Sequence, residues 1–166
     1  ANRSYFIDSV RYWVGDDTKI VVDNDRTNEK ECEDEQKAID DIEKELSVDI
    51  PRFLYRPEGL KFKDYNISKD FEYALLQYDY NDTIMTLYIN KYDKETKSTG
   101  ASLDGKEIET IKLPEGEASI QVKRIMAKGD KKASYVAYWN NSTEFYQIES
   151  QMEEKEFIKL IKNIKF

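Results

Sequence analysis

The sequence predicts an α+β domain: an antiparallel meander of about six to seven strands, with helices from both ends of the chain packed on it. Three observations lead to this prediction. Apolar and polar residues alternate through short segments between residues 60 and 149, a period typical of strands. Turn signals such as Asn81-Asp82 and Gly129-Asp130 separate these segments, as in hairpins. Apolar residues at helical spacing occur near the beginning and the end of the chain.

The size and charge of the chain limit its class. Its 166 residues suffice for one hydrophobic core and show no repeat or linker, so we predict a single domain, 1–166. Within it, 1–49 is an N-terminal helical or juxtamembrane part, and 50–166 contains the sheet and the closing helix. The net charge of −8 disfavours nucleic acid and anionic membrane surfaces, which attract Lys- and Arg-rich patches.

The N-terminal region contains two short predicted elements before the first long helix. Residues 4–14 have apolar side chains at mixed three- and four-residue spacings, which predicts a short amphipathic helix with a strand as the alternative. Residues 18–22 predict a brief β-branched strand. The chain starts at Ala1 with no signal peptide and no apolar span, so we expect contact with a membrane only through a segment missing upstream of Ala1.

The first long helix is predicted from Glu29 to Leu46. Asn28 and Glu31 can form a capping box, and the acidic first turn complements the helix dipole. Pro51 prevents the helix from extending further. Its apolar stripe consists of Ala38, Ile39, Ile42 and Leu46.

A central hairpin is predicted at 71–92, turning at Asn81-Asp82, after an extended segment at 50–60 and a strand at 60–67. On its apolar face, this register pairs Tyr80 with Thr83, Tyr78 with Met85, Leu76 with Leu87 and Ala74 with Ile89. On its mixed face, the register pairs Gln77 with Thr86, Leu75 with Tyr88 and Phe71 with Tyr92.

A second hairpin is predicted after a polar loop at 94–105. Its strands, 107–113 and 117–127, turn about Glu115-Gly116. The register pairs Leu113 with Ala118 and Ile111 with Ile120, and it sets Glu107 across from Arg124. Alternation carried through the turns at Gly129-Asp130 and Asn141-Ser142 then predicts one shared apolar face. That face contains Ile120, Val122, Ala133, Tyr135, Ala137, Trp139, Tyr146 and Ile148.

A closing helix is predicted to end near Asn163. Ser150 and Glu153 can form a capping box at its start. Its lysines are spaced to lie on the solvent face: Lys155, Lys159, Lys162 and Lys165. Its apolar stripe consists of Met152, Phe157, Ile158, Ile161 and Ile164.

The residue types exclude several kinds of catalytic and metal site. The chain has no histidine and a single cysteine, Cys32, which removes Ser-His-Asp and Cys-His nucleophiles and structural zinc. The acidic run at 23–34 lacks the glycine and glutamate of a calcium loop. We therefore predict no catalytic residue, no metal and no cofactor. A hydrolase using two converging carboxylates is the alternative.

Three tyrosines on the mixed face of the central hairpin are the candidate ligand-binding residues: Tyr73, Tyr88 and Tyr92. Their rings could stack on sugar rings or on a partner peptide. The alternative is that they cover the sheet beneath a helix, since aromatic residues are common in strands and cores.

The order of segments from Ile50 onward resembles a known family. IPRFLYRPEGLKF is followed by a strand ending in QYDY, by IMTLYI, by a glycine-bearing loop, by KGDKKASYVAYWNNSTEFYQIES and by EEKEFIKLIKNIKF. These segments resemble the domain of unknown function family numbered 4367. The strand pattern is also similar to Mog1/PsbP-like antiparallel folds.

This resemblance implies a cellular setting and no catalytic residues. Proteins of the family are Firmicutes proteins, often with one membrane span or lipoprotein anchor before an extracytoplasmic domain, and some resemble anti-sigma-factor signalling proteins. We therefore expect a non-catalytic, extracytoplasmic sensory or protein-interaction domain anchored to the cell membrane in the full-length protein. Its partner would be an unknown protein or cell-envelope ligand. The alternative is a module that binds cell-wall glycan or a small molecule through the aromatic sheet face.

Overall fold

The computed structural model describes residues 28–91, 105–113 and 118–166. The helices are α1 (Asn28–Leu46) and α2 (Glu154–Lys162). The strands are β1 (Arg52–Phe53), β2 (Leu60–Ser68), β3 (Tyr73–Tyr80), β4 (Thr83–Lys91), β5 (Lys106–Lys112), β6 (Ser119–Ile125), β7 (Ser134–Asn140), β8 (Glu144–Ser150) and β9 (Ile164–Lys165). The elements predicted at 4–14 and 18–22, nearly all of the loop predicted at 94–105, and Tyr92 lie outside the described residues.

The α+β fold predicted from the sequence is confirmed. In the described ranges, seven antiparallel strands form one sheet in the order β2-β3-β4-β8-β7-β6-β5. Short turns keep β2 to β4 adjacent and β5 to β8 adjacent, as a meander requires. The strands β5 to β8 lie in the reverse order in the sheet, however. The last of them, β8, therefore pairs with β4, and Leu87 lies opposite Ile148.

The central hairpin has the register predicted for β3 and β4. Tyr80 pairs with Thr83 at the turn, and Ala74 pairs with Ile89 near the far end. Asn81 has a φ of 51°, a left-handed conformation that asparagine adopts more readily than most residues. The Asn-Asp turn signal therefore sets the pairing of the whole hairpin.

The second hairpin follows its predicted register only near the turn. Ile111 pairs with Ile120 as predicted, but a bulge between Glu107 and Glu109 shifts the pairing further along. Glu107 therefore lies opposite Lys123, and the prediction that it faces Arg124 is wrong. A bulge inserts one extra residue into one strand and so changes the register beyond it.

The hydrophobic core lies on one face of the sheet, the helix-covered face, where both helices pack. The stripe of α1 is buried as predicted, with Ala38 and Ile42 at 0% exposure. In α2, the ring of Phe157 lies 5.9 Å from that of Tyr135 on β7. Leu160 is also 0% exposed, although it was not part of the predicted stripe. The four lysines predicted on the solvent face of α2 and its flank are exposed.

The start of α2 differs from the predicted capping box. The N-cap residue is Glu153 rather than Ser150, and its side chain makes no capping hydrogen bond. The Glu153 carboxylate instead accepts a hydrogen bond from the Tyr80 hydroxyl at 2.9 Å. The backbone N–H of Glu153 and this hydroxyl both lower the pKa of the carboxyl, because hydrogen bonds to the charged form stabilise it. The tertiary contact with β3 therefore replaces the local cap.

Tyrosine hydroxyls connect the sheet to the segments packed on it. Tyr65 on β2 donates to Asp41 of α1 at 2.5 Å, and Tyr146 on β8 donates to the Asp49 carbonyl oxygen at 2.7 Å. Tyr78 on β3 donates to the buried Glu35 of α1 at 2.8 Å. These bonds join α1 and the segment that follows it to the sheet.

Because of these bonds, we expect the protein to lose stability at alkaline pH. The hydrogen bond to Asp41 and burial raise the pKa of Tyr65 from 10.0 to about 12. Burial and the hydrogen bond to Glu153 raise the pKa of Tyr80 to about 12. A raised tyrosine pKa stabilises the folded state fully below 10.0, and this contribution is lost as the pH rises towards 12.

The test is urea unfolding at a series of pH values for the wild type and Tyr65→Phe. The variant should lose about 1 kcal/mol near neutral pH and then decline less steeply than the wild type as the solution becomes alkaline. Equal slopes in the two proteins would contradict a stabilising role for the Tyr65–Asp41 bond.

Candidate functional site

The opposite face of the sheet, here called the second face, brings together aromatic and amide side chains from three neighbouring strands, β3, β4 and β8. Side chains alternate between faces along each strand, so the register places Gln77, Thr86 and Glu149 in one row across β3, β4 and β8. In the next row, Tyr88 lies opposite Gln147. We call this cluster the Tyr88 patch; it consists of Tyr73, Gln77, Thr86, Tyr88, Asn90, Phe145, Gln147 and Glu149.

Aromatic rings form one side of the Tyr88 patch. The ring centroid of Tyr88 lies 5.6 Å from that of Tyr73 and 6.4 Å from that of Phe145. Phe71 continues the row, stacked on Tyr73 at 6.5 Å, and it is 75% exposed. Tyr73, Tyr88 and Phe145 are half-buried. The rings therefore make a row across three strands that reaches solvent at Phe71, in the turn just before β3.

Buried amides form the other side of the patch. Gln77 is 6% exposed and Gln147 is 4% exposed. Their atoms Gln77 Oε1 and Gln147 Nε2 are buried without a hydrogen-bond partner in the described structure. A buried polar group that stays unsatisfied costs about 1–3 kcal/mol.

The two phenols of the patch are held in the neutral form. Burial raises the pKa of Tyr88, and the hydrogen bond that Asn90 Nδ2 donates to its hydroxyl at 3.0 Å acts in the opposite direction. Burial also raises the pKa of Tyr73. Both side chains therefore remain uncharged at physiological pH and offer a ring face and a neutral hydroxyl.

The sequence located part of this patch. Tyr73 and Tyr88 are brought together as predicted, while Tyr92 lies outside the described residues. Both described helices contribute to the core on the helix-covered face, so neither α1 nor α2 lies over these two rings. The sequence did not single out Phe145 or Gln147. Their alternation with Tyr146 and Ile148 indicated the second face, but only the pairing of β8 with β4 brings them beside Tyr88.

Within the described ranges, no group of three or more His, Cys, Asp or Glu side chains could hold a metal ion. Among the described helices, none combines the length and the apolar character needed to cross a bilayer.

Comparison with known families places the chain. The model of the family described as "Domain of unknown function (DUF4367)" matches residues 50–164. The chain belongs to this family. The DUF4367 match confirms the resemblance seen in the sequence, and it begins at residue 50, between the end of α1 at Leu46 and the start of β1 at Arg52. No curated protein and no solved structure matches the chain, so the likeness to Mog1/PsbP-like folds stays a prediction.

Proposed function

We propose that this chain is a non-catalytic, extracytoplasmic sensory or protein-interaction domain of a membrane-anchored Gram-positive protein, with the Tyr88 patch as its contact surface. The single observation that supports this most is the row of rings from Phe71 through Tyr73 and Tyr88 to Phe145. Aromatic side chains contribute large contact areas, and they are enriched at the energetic centres of protein interfaces.

The two sheet faces have different roles in this proposal. On the helix-covered face, tyrosine hydroxyls are used within the fold, as in the bond from Tyr78 to Glu35. On the second face, Phe71 presents three quarters of its surface to solvent beside Tyr73. An exposed apolar side chain that extends a partly buried aromatic row provides a contiguous apolar surface on which a partner protein can pack.

A second candidate function is a module that binds cell-wall glycan or a small molecule. The observation that favours it is the combination of aromatic rings with the buried amides of Gln77 and Gln147 in one patch. Small-molecule sites typically combine apolar and aromatic walls with a few polar groups that fix the orientation of the ligand.

The proposed function can be tested in the native cell with a photo-crosslinking amino acid at Phe71. The control position is Leu54, another exposed apolar residue, at 67% exposure. We expect envelope-dependent adducts from Phe71 and few from Leu54. Protease added to intact cells should degrade the domain, because the proposal places it outside the membrane. Equal adducts at the two positions would argue against the patch as the contact surface, and protection from protease would overturn the location.

A further inference from the structure

We propose that the second face of the sheet is the docking site of residues 4–14 of this same chain. This goes beyond the proposed function, because it names what lies over the second face before any partner binds. The starting point is burial on that face. Leu75 is 3% exposed and Val136 is 0% exposed. Both belong to the second face, since Leu75 lies opposite Tyr88 and Val136 lies opposite Glu149.

The buried side chains of the second face are separate from the main core. The core cluster, to which both helices contribute, leaves out Leu75 and Val136, although each is as buried as its members. Polar neighbours on the same face are also buried, with Gln77 at 6%, Thr86 at 7% and Gln147 at 4% exposure. A sheet face that is open to water carries exposed polar side chains, so the second face has a covered layer of its own.

No element in the described ranges supplies this cover. Both helices and the β1–β9 pair contribute to the cluster on the helix-covered face, and the seven main strands lie in the sheet itself. Neighbours within a sheet shield the sides of a residue such as Val136 but not its outer end, which points away from the sheet. The covering atoms therefore belong to stretches of this chain outside 28–91, 105–113 and 118–166.

Composition decides among the three remaining stretches, 1–27, 92–104 and 114–117. Residues 114–117 include no large apolar side chain, and 92–104 contain three apolar residues in thirteen, too few to cover two rows of a sheet. Residues 4–14 contain seven aliphatic or aromatic residues in eleven, at spacings that predict an amphipathic element. An apolar stripe of this kind needs an apolar surface to cover it, and the second face provides one.

The connection between this segment and α1 is long enough. Residue Glu35 of α1 bonds to Tyr78, near the turn end of β3 and one strand from the edge strand β2. The thirteen residues 15–27 can span up to about 45 Å when extended. A path round β2 to Tyr88 needs a few strand spacings of about 4.8 Å and two layer spacings of about 10 Å, which is within that reach.

The docking gives residues 4–14 a regulatory role, and this consequence rests on the proposed function. In a membrane-anchored protein, the segment lies between any upstream anchor and the domain. It covers the central part of the Tyr88 patch and leaves Phe71, which is 75% exposed, for a partner. A partner that needs more of the patch must compete with residues 4–14 for it.

Photo-crosslinking tests the docking directly. p-Benzoylphenylalanine replaces Trp13 in the full chain, and the adducts are mapped by mass spectrometry after digestion. We expect adducts within one chain, at second-face residues such as Tyr88, Tyr138 or Gln147. Adducts that join two chains would make a second copy the occupant, and adducts confined to α1 or α2 would place the segment elsewhere. Either result, or the absence of adducts, overturns the inference.

A matched pair of charge substitutions provides a second test. Val10→Asp places a carboxylate in the apolar stripe of the segment, whereas Ser9→Asp adds the same charge at a neighbouring polar position. Burial of an unpaired carboxylate is costly, so Val10→Asp should raise the hydroxyl-radical oxidation of Leu75 by about fivefold or more. Ser9→Asp should leave it unchanged. Equal protection of Leu75 in the two variants overturns the inference.

A core residue reports whether these variants remain folded. Phe157 is 0% exposed on the helix-covered face and should stay protected from oxidation in both variants. If Val10→Asp also exposes Phe157, the variant has unfolded, and the crosslinks from Trp13 decide the outcome.

Failure of the docking can be told apart from failure of the proposed function. Adducts from Phe71 to an envelope protein support the contact surface whether or not residues 4–14 dock beside it. Crosslinks from Trp13 to the second face, without partner adducts from Phe71, would keep the docking and remove the interaction surface.

Discussion

Replacement of Ile42 by alanine is expected to lower the free energy of unfolding by about 2–5 kcal/mol. Ile42 lies at the centre of the α1 stripe and is 0% exposed. It belongs to the same core cluster as Leu76 and Tyr78 of β3. The alanine variant loses the transfer free energy of the removed methyl and methylene groups, and it leaves a cavity that the surrounding side chains fill only in part.

The measurement is urea unfolding at neutral pH, with Lys37→Ala as the control on the same helix. Lys37 is exposed, so its replacement should change the free energy of unfolding by no more than about 0.5 kcal/mol. The prediction matters for the family, because α1 precedes the matched residues 50–164. If Ile42→Ala behaves like Lys37→Ala, then α1 is not an integral part of the core of this DUF4367 domain.

Replacement of Arg56 by methionine is the second substitution expected to have a large effect, with a loss of about 2–3 kcal/mol. Arg56 Nη2 lies 2.6 Å from Oε1 of Glu35, whose side chain is 8% exposed. The same oxygen accepts a hydrogen bond from Tyr78 at 2.8 Å. Removal of the guanidinium takes away a positive charge that stabilises the buried carboxylate of Glu35. The effect should be below that of a fully buried pair, because the Arg56 side chain is 40% exposed.

A double variant separates the buried charge from the packing of the arginine. Glu35→Gln combined with Arg56→Met should be more stable than Arg56→Met alone. The single variant keeps the negative charge of Glu35 buried without its arginine, whereas glutamine at position 35 carries no charge. Lys63→Met is the control, because its ion pair with Asp79 is longer, at 3.8 Å, and the Asp79 carboxylate is 50% exposed, unlike the buried Glu35. It should cost at most about 1 kcal/mol. If the single and double variants are equally stable, the Arg56–Glu35 pair does not act through charge compensation.

Local patterns in the sequence predicted much of the fold. The Asn-Asp turn between β3 and β4 implied every observed pair from Tyr80–Thr83 to Ala74–Ile89, because the turn and the period of two together leave one register. The stripe of α1 was equally predictable, since apolar residues at helical spacing need a core to cover them. The bulge at Glu107 could not be predicted, because the alternation of residues around it gives no sign of an inserted residue.

The candidate site was predicted in part, for a related reason. Tyr73 and Tyr88 belong to one hairpin, so the turn that joins their strands also brings their rings together. Phe145 and Gln147 come from β8, which follows β4 in the chain after three other strands among the described residues. Their place beside Tyr88 depends on long-range pairing, and no local pattern reports it.

The sequence by itself determined the two described helices, the seven strands of the main sheet, the two faces of the central hairpin and the membership of Tyr73 and Tyr88 in one face. These features depend on turns and on side-chain periods, which act over a few residues. Only the tertiary structure decided that β8 pairs with β4. It also decided that the Glu153 side chain accepts a hydrogen bond from Tyr80 instead of capping α2. Finally, it placed the amides of Gln77 and Gln147, each with an unpartnered buried atom, on the two strands beside Tyr88. Each of these features joins segments far apart in the chain, where the free energy of packing the whole core selects the partner.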